Sequence, residues 1–221
     1  LQGQMSSLVL IPTVIINFLG IKFIASRMGQ KKALLFGTYG AIGTSVLMFC
    51  LMVWGDPSSF SFTNISFFTI AFCLLWIFQK GFSGISGNIV IPMTADCADY
   101  ETYRTGKYVP GLMGTLFSFV DKVISSLAST IVALMFALVG YAQEVPTDKS
   151  PWSEGLFWVV VIAFTIVPII GWLCNVVAMK FYPLTKEKME EIQEKIAEIK
   201  AKNLAENEAA AAAEAVEAEL P

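Results

Sequence analysis

Histidine is absent from this chain of 221 residues, and its four cysteines, Cys50, Cys73, Cys97 and Cys174, are far apart, with no Cys-x-x-Cys pair. Metal centres and redox pairs therefore have almost no ligands to draw on, and no metal site is expected. The cysteines read as small apolar packers, with Cys97 the exposed thiol. There is no Gly-x-Ser-x-Gly elbow and no phosphate-binding glycine loop, so a hydrolase or transferase is disfavoured and the chain is not expected to be an enzyme. Charge is scarce: only 15% of residues carry it, with a formal net charge of -3, and no nucleic-acid partner is expected. No basic stretch precedes the first apolar run, so a cleaved signal peptide does not explain that run, and a start upstream of Leu1 is expected.

What is abundant is apolar sequence. Hydrophobic residues make up 55% of the chain and aromatics 13%, with mean hydropathy +0.64. One soluble core cannot hide that many apolar side chains. Five runs, about 5–25, 33–54, 64–95, 110–141 and 154–182, each reach the ~20 residues a spanning helix needs. The expected class is an all-α membrane protein with five transmembrane helices, and the lipid bilayer is its natural solvent.

Charges in the connections set an expected orientation. "RMGQKK" with Arg27, Lys31 and Lys32, then Arg104 with Lys107, then Lys180, Lys186 and Lys188 follow runs one, three and five. By the excess of Lys and Arg on the inner side these are cytoplasmic, which puts the C-terminus inside a multi-pass cell-membrane protein. The alternate connections are rich in Pro and Ser and are flanked by Trp54, Tyr141 and Trp152, as at an outer interface.

Within run two, Ala33, Gly37, Ala41 and Ser45 recur every four residues, a face on which helices can approach closely. In run three, Gly81, Gly84 and Gly87 lie beside Lys80 and Asn88, which suits either helix packing or a bendable, cavity-facing segment. Beyond the membrane segment 1–183, Met189, Ile192, Ile196 and Ile199 mark an amphipathic helix over 184–203. Residues 204–221 form an acidic Ala/Glu-rich tail, expected to be mobile.

Run four contains adjacent charges, Asp121 and Lys122. Counted from Gly111 at the inner surface, Lys122 lies about 16 Å deep, near the middle of a hydrocarbon layer of about 30 Å. Two central charges cost on the order of 6 kcal/mol, roughly what the run's apolar side chains return. Neighbouring helical residues point about 100° apart, so the two do not simply neutralise each other. Either Asp121 pairs with another intramembrane charge such as Lys80, or Lys122 with Ser118 lines a polar cavity that binds a hydrated solute.

A hydrophilic island, "IPMTADCADYETYRTGKYVPGLMG" at residues 91–114, interrupts the apolar pattern. The order of a long apolar helix, then "MTADCADYETYRTGK", then "GLMGTLFSFVDKVISS" and "GY" resembles the C-terminal half of the glycoside-pentoside-hexuronide:cation symporters. These are melibiose-permease-like carriers of the major facilitator superfamily. The likeness extends from about the first residue to "FYPLTKEK", with Asp96-x-x-Asp99-Tyr100 and Lys122 its most specific elements.

That resemblance implies a twelve-helix carrier of two six-helix bundles, here represented by helices eight to twelve. It also implies cation-coupled sugar or glycoside uptake. The coupling cation (Na+, H+ or Li+) would bind mainly in the N-terminal bundle missing from this chain, and no other cofactor is implied. The sugar contacts it implies are Phe117, Ser118, Asp121 and Lys122 with Gly87 and Asn88. The chain departs from the family at Tyr108 and Pro110, where Arg and Glu are common, and at Gly87, where melibiose permease has an aromatic.

In that setting the island reads as a cytoplasmic gate. Asp96 and Asp99 lie one turn apart, Tyr100 and Tyr103 continue their face, and Arg104 and Arg27 supply basic partners. A static anchor of loop and helix is the alternative. A structural or accessory membrane subunit without transport activity is the alternative for the whole chain.

Overall fold

The computed structural model describes residues 2–61, 64–106, 110–141, 146–147 and 150–198. Lys107, Tyr108, Ile199 and the acidic tail at 204–221 lie outside them. Among the described residues there are helices and no strands. Five are long and apolar enough to cross a membrane: Val9–Met28, Gln30–Trp54, Phe67–Thr105, Gly111–Leu138 and Glu154–Phe181. The chain is an all-α, multi-pass membrane protein.

The first span comprises α1 (Gln2–Gly20), a π-helical turn at Ile21–Ala25 and the short α2 (Ser26–Met28). Gly29, at φ 78°, a conformation L side chains rarely adopt, turns the chain into α3 (Gln30–Trp54). Next, α4 (Phe67–Thr105) opens with Ser66, whose side chain accepts from the Thr69 N–H, and closes at Gly106 with φ 72°. It does not end with its apolar run at Ala95. Past Pro92, which the helix accommodates, the island contains no helix breaker before Gly106, so the helix continues through it. α5 (Pro110–Leu138) follows. The last span comprises α6 (Glu154–Val161), a second π-helical turn at Ile162–Ile166, and α7 (Val167–Phe181). A further helix, α8, covers residues 186–198.

The densest packing is between α3 and α4. Ala33, Gly37, Ala41 and Ser45 are buried there, as the four-residue spacing anticipates. A Cβ placed on Gly37 would meet the Phe82 carbonyl oxygen at 2.8 Å and the Ser86 nitrogen at 2.9 Å. Only a hydrogen fits, so the α4 backbone can close onto α3.

Polar clasps reinforce this seam. The Gln79 amide donates to Ser45 Oγ at 2.6 Å, and Thr38 Oγ1 and Ser86 Oγ lie 2.9 Å apart. From α7, Asn175 Nδ2 donates to Thr38 Oγ1 at 3.0 Å. Hydrogen bonds between membrane helices stabilise by about 0.6–2 kcal/mol each.

At the end bearing Arg27 and Arg104, Leu184 just before α8 and Ile192 and Ile196 of α8 pack onto Cys97, Tyr100, Tyr103 and Tyr182. Cys97 is therefore partly covered, and Cys174 is the exposed cysteine, a correction to the expectation from sequence. The hydrophilic flanks of the island gave Cys97 its exposed appearance; the apolar stripe of α8 covers it.

Candidate functional site

In contrast to the seam, no residue in the most apolar stretch of α5 is buried. Contact is made at one end and along one stripe. Met113, Leu116, Phe117 and Val120 line an apolar cavity of about 400 Å³ with Val90, Met93 and Thr94 of α4 and Asn175 and Met179 of α7. On the flank of that contact, Gly114, Phe117 and Ser118 share a cavity of about 290 Å³ with Ile91, Thr94, Ala95 and Ala98 of α4.

Helical geometry places the remaining candidates. At about 100° per residue, Asp121 lies one turn beyond Ser118 on that flank, and Lys122 lies about 200° round from Val120, on the side away from α4 and α7. Asp121 and Lys122 are both exposed, as are Gly87 and Asn88 on α4. Pro92 sits inside α4; lacking an N–H, it leaves the Asn88 carbonyl without its helical donor. Asn88 therefore presents an amide and a freed carbonyl together. Nearby, the Asn17 amide of α1 lies against Gly84, where a Cβ would come within 2.3 Å of its oxygen, and that oxygen is buried without a hydrogen-bond partner. Gly87, Asn88, Ser118, Asp121 and Lys122 are thus exposed polar or backbone-presenting positions on α4 and α5, whereas the Asn17 oxygen is enclosed against Gly84.

Lys80 and Asp121 are not brought together, since among the described residues neither forms an ion pair. The reason is geometric. α5 meets α4 over Ile91–Ala98, whereas Lys80 is nearly three turns away, lining a cavity with Phe164, Pro168 and Trp172 of the last span.

The island residues gather beneath α8. Asp99 accepts from Gln193 Nε2 at 2.6 Å, and Asp96 faces the Gln30 amide. Tyr100 and Tyr103 stack with centroids 6.4 Å apart. The Lys188 and Lys195 amines lie 5.8 and 5.2 Å from the Tyr103 centroid, and Lys195 also donates to the Tyr103 hydroxyl at 3.3 Å. Among the described residues Arg104 pairs only within its own helix, to Glu101 at 3.0 Å. Arg27 is exposed and among the described residues forms no ion pair. In this state the two carboxylates thus face neutral amides rather than basic side chains.

Cavity and contact here are finely divided. Asp96, Gln30, Gly29 and residues of α8 enclose about 250 Å³. Lys31 donates to the Tyr182 carbonyl, tying α3 to the residue that caps the end of α7. Burial, then the neighbouring Cys97 and Asp96, push the Tyr182 phenol up from its ordinary value. Among the described residues no group of three His, Cys, Asp or Glu could hold a metal ion.

A profile described as MFS/sugar transport protein matches residues 1–186. The chain belongs to this family. It is 28% identical over 193 residues to the glucuronide carrier protein homolog of Escherichia coli (strain K12), covering 87% of this chain and 36% of that protein. It is 24% identical over 184 residues to the isoprimeverose transporter of Lactiplantibacillus pentosus, covering 83% and 34%. The chain thus spans about a third of the length of these curated relatives. No solved structure gives a significant match.

Sequence reasoning missed Asn17, Gln30, Gln79, Asn175 and Gln193. The depth argument that singles out Lys122 applies equally to Asn17, Gln79 and Asn175, because any polar side chain at mid-membrane needs a partner. Gln30 and Gln193 carry no charge and so escape an argument built on charge pairs.

Proposed function

We propose that this chain is the C-terminal portion of a cation-coupled symporter for a sugar or glycoside that works by alternating access in a cell membrane. The observation that carries the reading is the exposure of polar groups on the apolar helices α4 and α5, Asn88, Ser118, Asp121 and Lys122. In lipid, polar groups that find no partner cost several kcal/mol, so a face carrying Asp121, Lys122 and the freed Asn88 carbonyl is suited to a hydrated solute between two bundles. The relatives' names, a glucuronide carrier and an isoprimeverose transporter, support a sugar-type solute. The coupling cation, Na+, H+ or Li+, binds mainly in the partner N-terminal bundle, and α8 with the island forms the cytoplasmic gate.

The test is Lys122→Ala in a transporter that contains this chain as its C-terminal part. A fixed midplane cation is compensated by a carboxylate, and its removal leaves that carboxylate buried and uncompensated, at a cost of about 3–5 kcal/mol. Cation-driven uptake collapses while insertion and expression persist. Near-normal uptake with unchanged cation dependence would make Lys122 a packing or topology residue and replace this reading by a structural ion pair. Orientation has its own check: in a cysteine-free background, cysteines at Arg27 and Ser58 label from opposite sides with an impermeant reagent, and same-side labelling rejects the topology.

A further inference from the structure

The apolar cavity of about 400 Å³ is lined by positions 90–97 of α4, 113–120 of α5 and 175–182 of α7, and each helix contributes a stripe running from one residue to the seventh after it. Seven residues rise about 10.5 Å, so the three stripes match in length. Successive spans alternate in direction. Cys97, Met113 and Tyr182 therefore share the end nearest α8, and Val90, Val120 and Asn175 share the other. The helices are not pressed together here, since Leu116, Phe117 and Val120 line the cavity and yet remain exposed. Both the volume and the mostly apolar lining are those of a small-molecule pocket, for which about 300–1,000 Å³ is usual.

Three of the chain's nine methionines, Met93, Met113 and Met179, meet in this lining with the rings of Phe117 and Tyr182. Thioethers re-pack readily round a guest and make favourable contacts with aromatic ring edges. The polar group at the far end is the Asn175 amide. It donates through Nδ2 to Thr38 Oγ1 at 3.0 Å, which fixes the amide and leaves its oxygen as an acceptor for the cavity. The Thr94 hydroxyl proton is spent on the Val90 carbonyl at 3.0 Å. These features select the guest. A sugar would leave its hydroxyls unpaired against apolar walls. An acyl tail would fill the walls but bring no donor to the Asn175 oxygen. An aromatic ring with one O–H or N–H suits both.

We propose that this cavity binds a small uncharged aromatic molecule with a single hydrogen-bond donor, a phenol or an indole, its ring among the methionines and its donor on Asn175. The site adjoins the solute positions through Phe117, which lines both cavities on that side of α5. It does not rest on the transport reading: binding to the purified chain is measured without uptake, so the failure of one is distinguishable from the failure of the other.

The experiment is equilibrium dialysis of the purified chain in lipid nanodiscs with radiolabelled p-cresol, with protein-free nanodiscs subtracted. Saturable binding at a single site is expected. Toluene, which lacks the donor, competes about fivefold less well. The saturated analogue 4-methylcyclohexanol, which keeps the hydroxyl and lacks the ring, competes about threefold less well. Val120→Trp starts from an exposed position and fills the end beside Asn175, so it abolishes binding. Asn175→Leu removes the preference for p-cresol over toluene, and Lys122→Met leaves the affinity within about twofold. Absence of saturable binding beyond the discs, which would mean that an acyl chain holds the cavity, overturns the proposal. So does equal competition by toluene or by 4-methylcyclohexanol, unchanged binding in Val120→Trp, a preference that survives Asn175→Leu, or loss of binding in Lys122→Met.

Discussion

The α3–α4 seam and α5 are both long apolar helical stretches, yet they satisfy their polar groups in opposite ways. In the seam, the buried Thr38, Ser45, Gln79 and Ser86 find partners inside the chain: Thr38 with Ser86 and Asn175, Gln79 with Ser45. On α5, Thr115, Ser129 and Thr130 bond only to carbonyls of their own helix, and Asp121 and Lys122 form no ion pair among the described residues. Apolar content alone does not distinguish an element that completes itself from one that keeps a face for a partner. The location of its small and polar residues does.

The sharpest way to break this contrast is a pair of glycine substitutions. Gly37→Leu drives a side chain into the α4 backbone, where Phe82 and Ser86 cannot step aside, and costs about 3 kcal/mol or more as the helices separate. At Gly114 an added Cβ would meet nothing within 4 Å and the side chain grows into an open cavity, so helix propensity makes Gly114→Leu neutral or slightly stabilising, by up to about 1 kcal/mol. Reversible unfolding in mixed micelles measures both, and equal effects would erase the distinction.

A smaller effect is expected from hydroxyl removal. Thr38→Val leaves Ser86 and Asn175 without their shared partner and destabilises by about 1–2 kcal/mol, whereas Thr115→Val, which loses only a bond to its own helix, stays within about 0.5 kcal/mol. The same unfolding assay reads the difference, and a cost at Thr115 matching that at Thr38 would sink it.

The smallest effect belongs to α8, which lies between the two extremes. Its apolar stripe is buried but its charges are exposed. The hydrogen bond from Lys188 holds the Glu191 carboxyl below its ordinary value. A lowered carboxylate contributes stability above its unfolded pKa, about 4.3, and loses it as pH falls through the folded value. A spin label at Glu194 is therefore expected to keep constant mobility from pH 8 to about pH 5 and to loosen slightly below about pH 4. A label that loosens on raising the pH from 5 to 8 would contradict the pairing.

The five spans are legible in sequence because lipid demands long uninterrupted apolar segments, and the Ala33–Gly37–Ala41–Ser45 spacing identifies the seam before any coordinates do. The end of α4 is not legible from hydropathy, since the apolar run stops at Ala95 while the backbone meets no breaker until Gly106. The π-helical turns leave no compositional trace. Depth along α5 identifies Asp121 and Lys122, but their direction follows from which stripe packs, and only the contacts of Met113, Leu116, Phe117 and Val120 reveal that. The amphipathic pattern of α8 predicts a buried face without naming Cys97, Tyr100 and Tyr103 as what it covers.

The length of α4 has a mechanical consequence. At 39 residues, it is about 58 Å long, nearly twice the thickness of the hydrocarbon layer, so it acts as a lever arm whose far tip carries Asp96, Asp99 and the docked α8. From Lys80 to Thr105 the arm measures about 37 Å, so a tilt of about 10° about the mid-membrane region sweeps the tip through about 6 Å. That stroke exceeds the reach of any hydrogen bond at the tip. A rotation too small to disturb the packing of Gly37 can therefore part the island from whatever it touches, and thin contacts at the end of a long arm can report on, or resist, motion at its fulcrum.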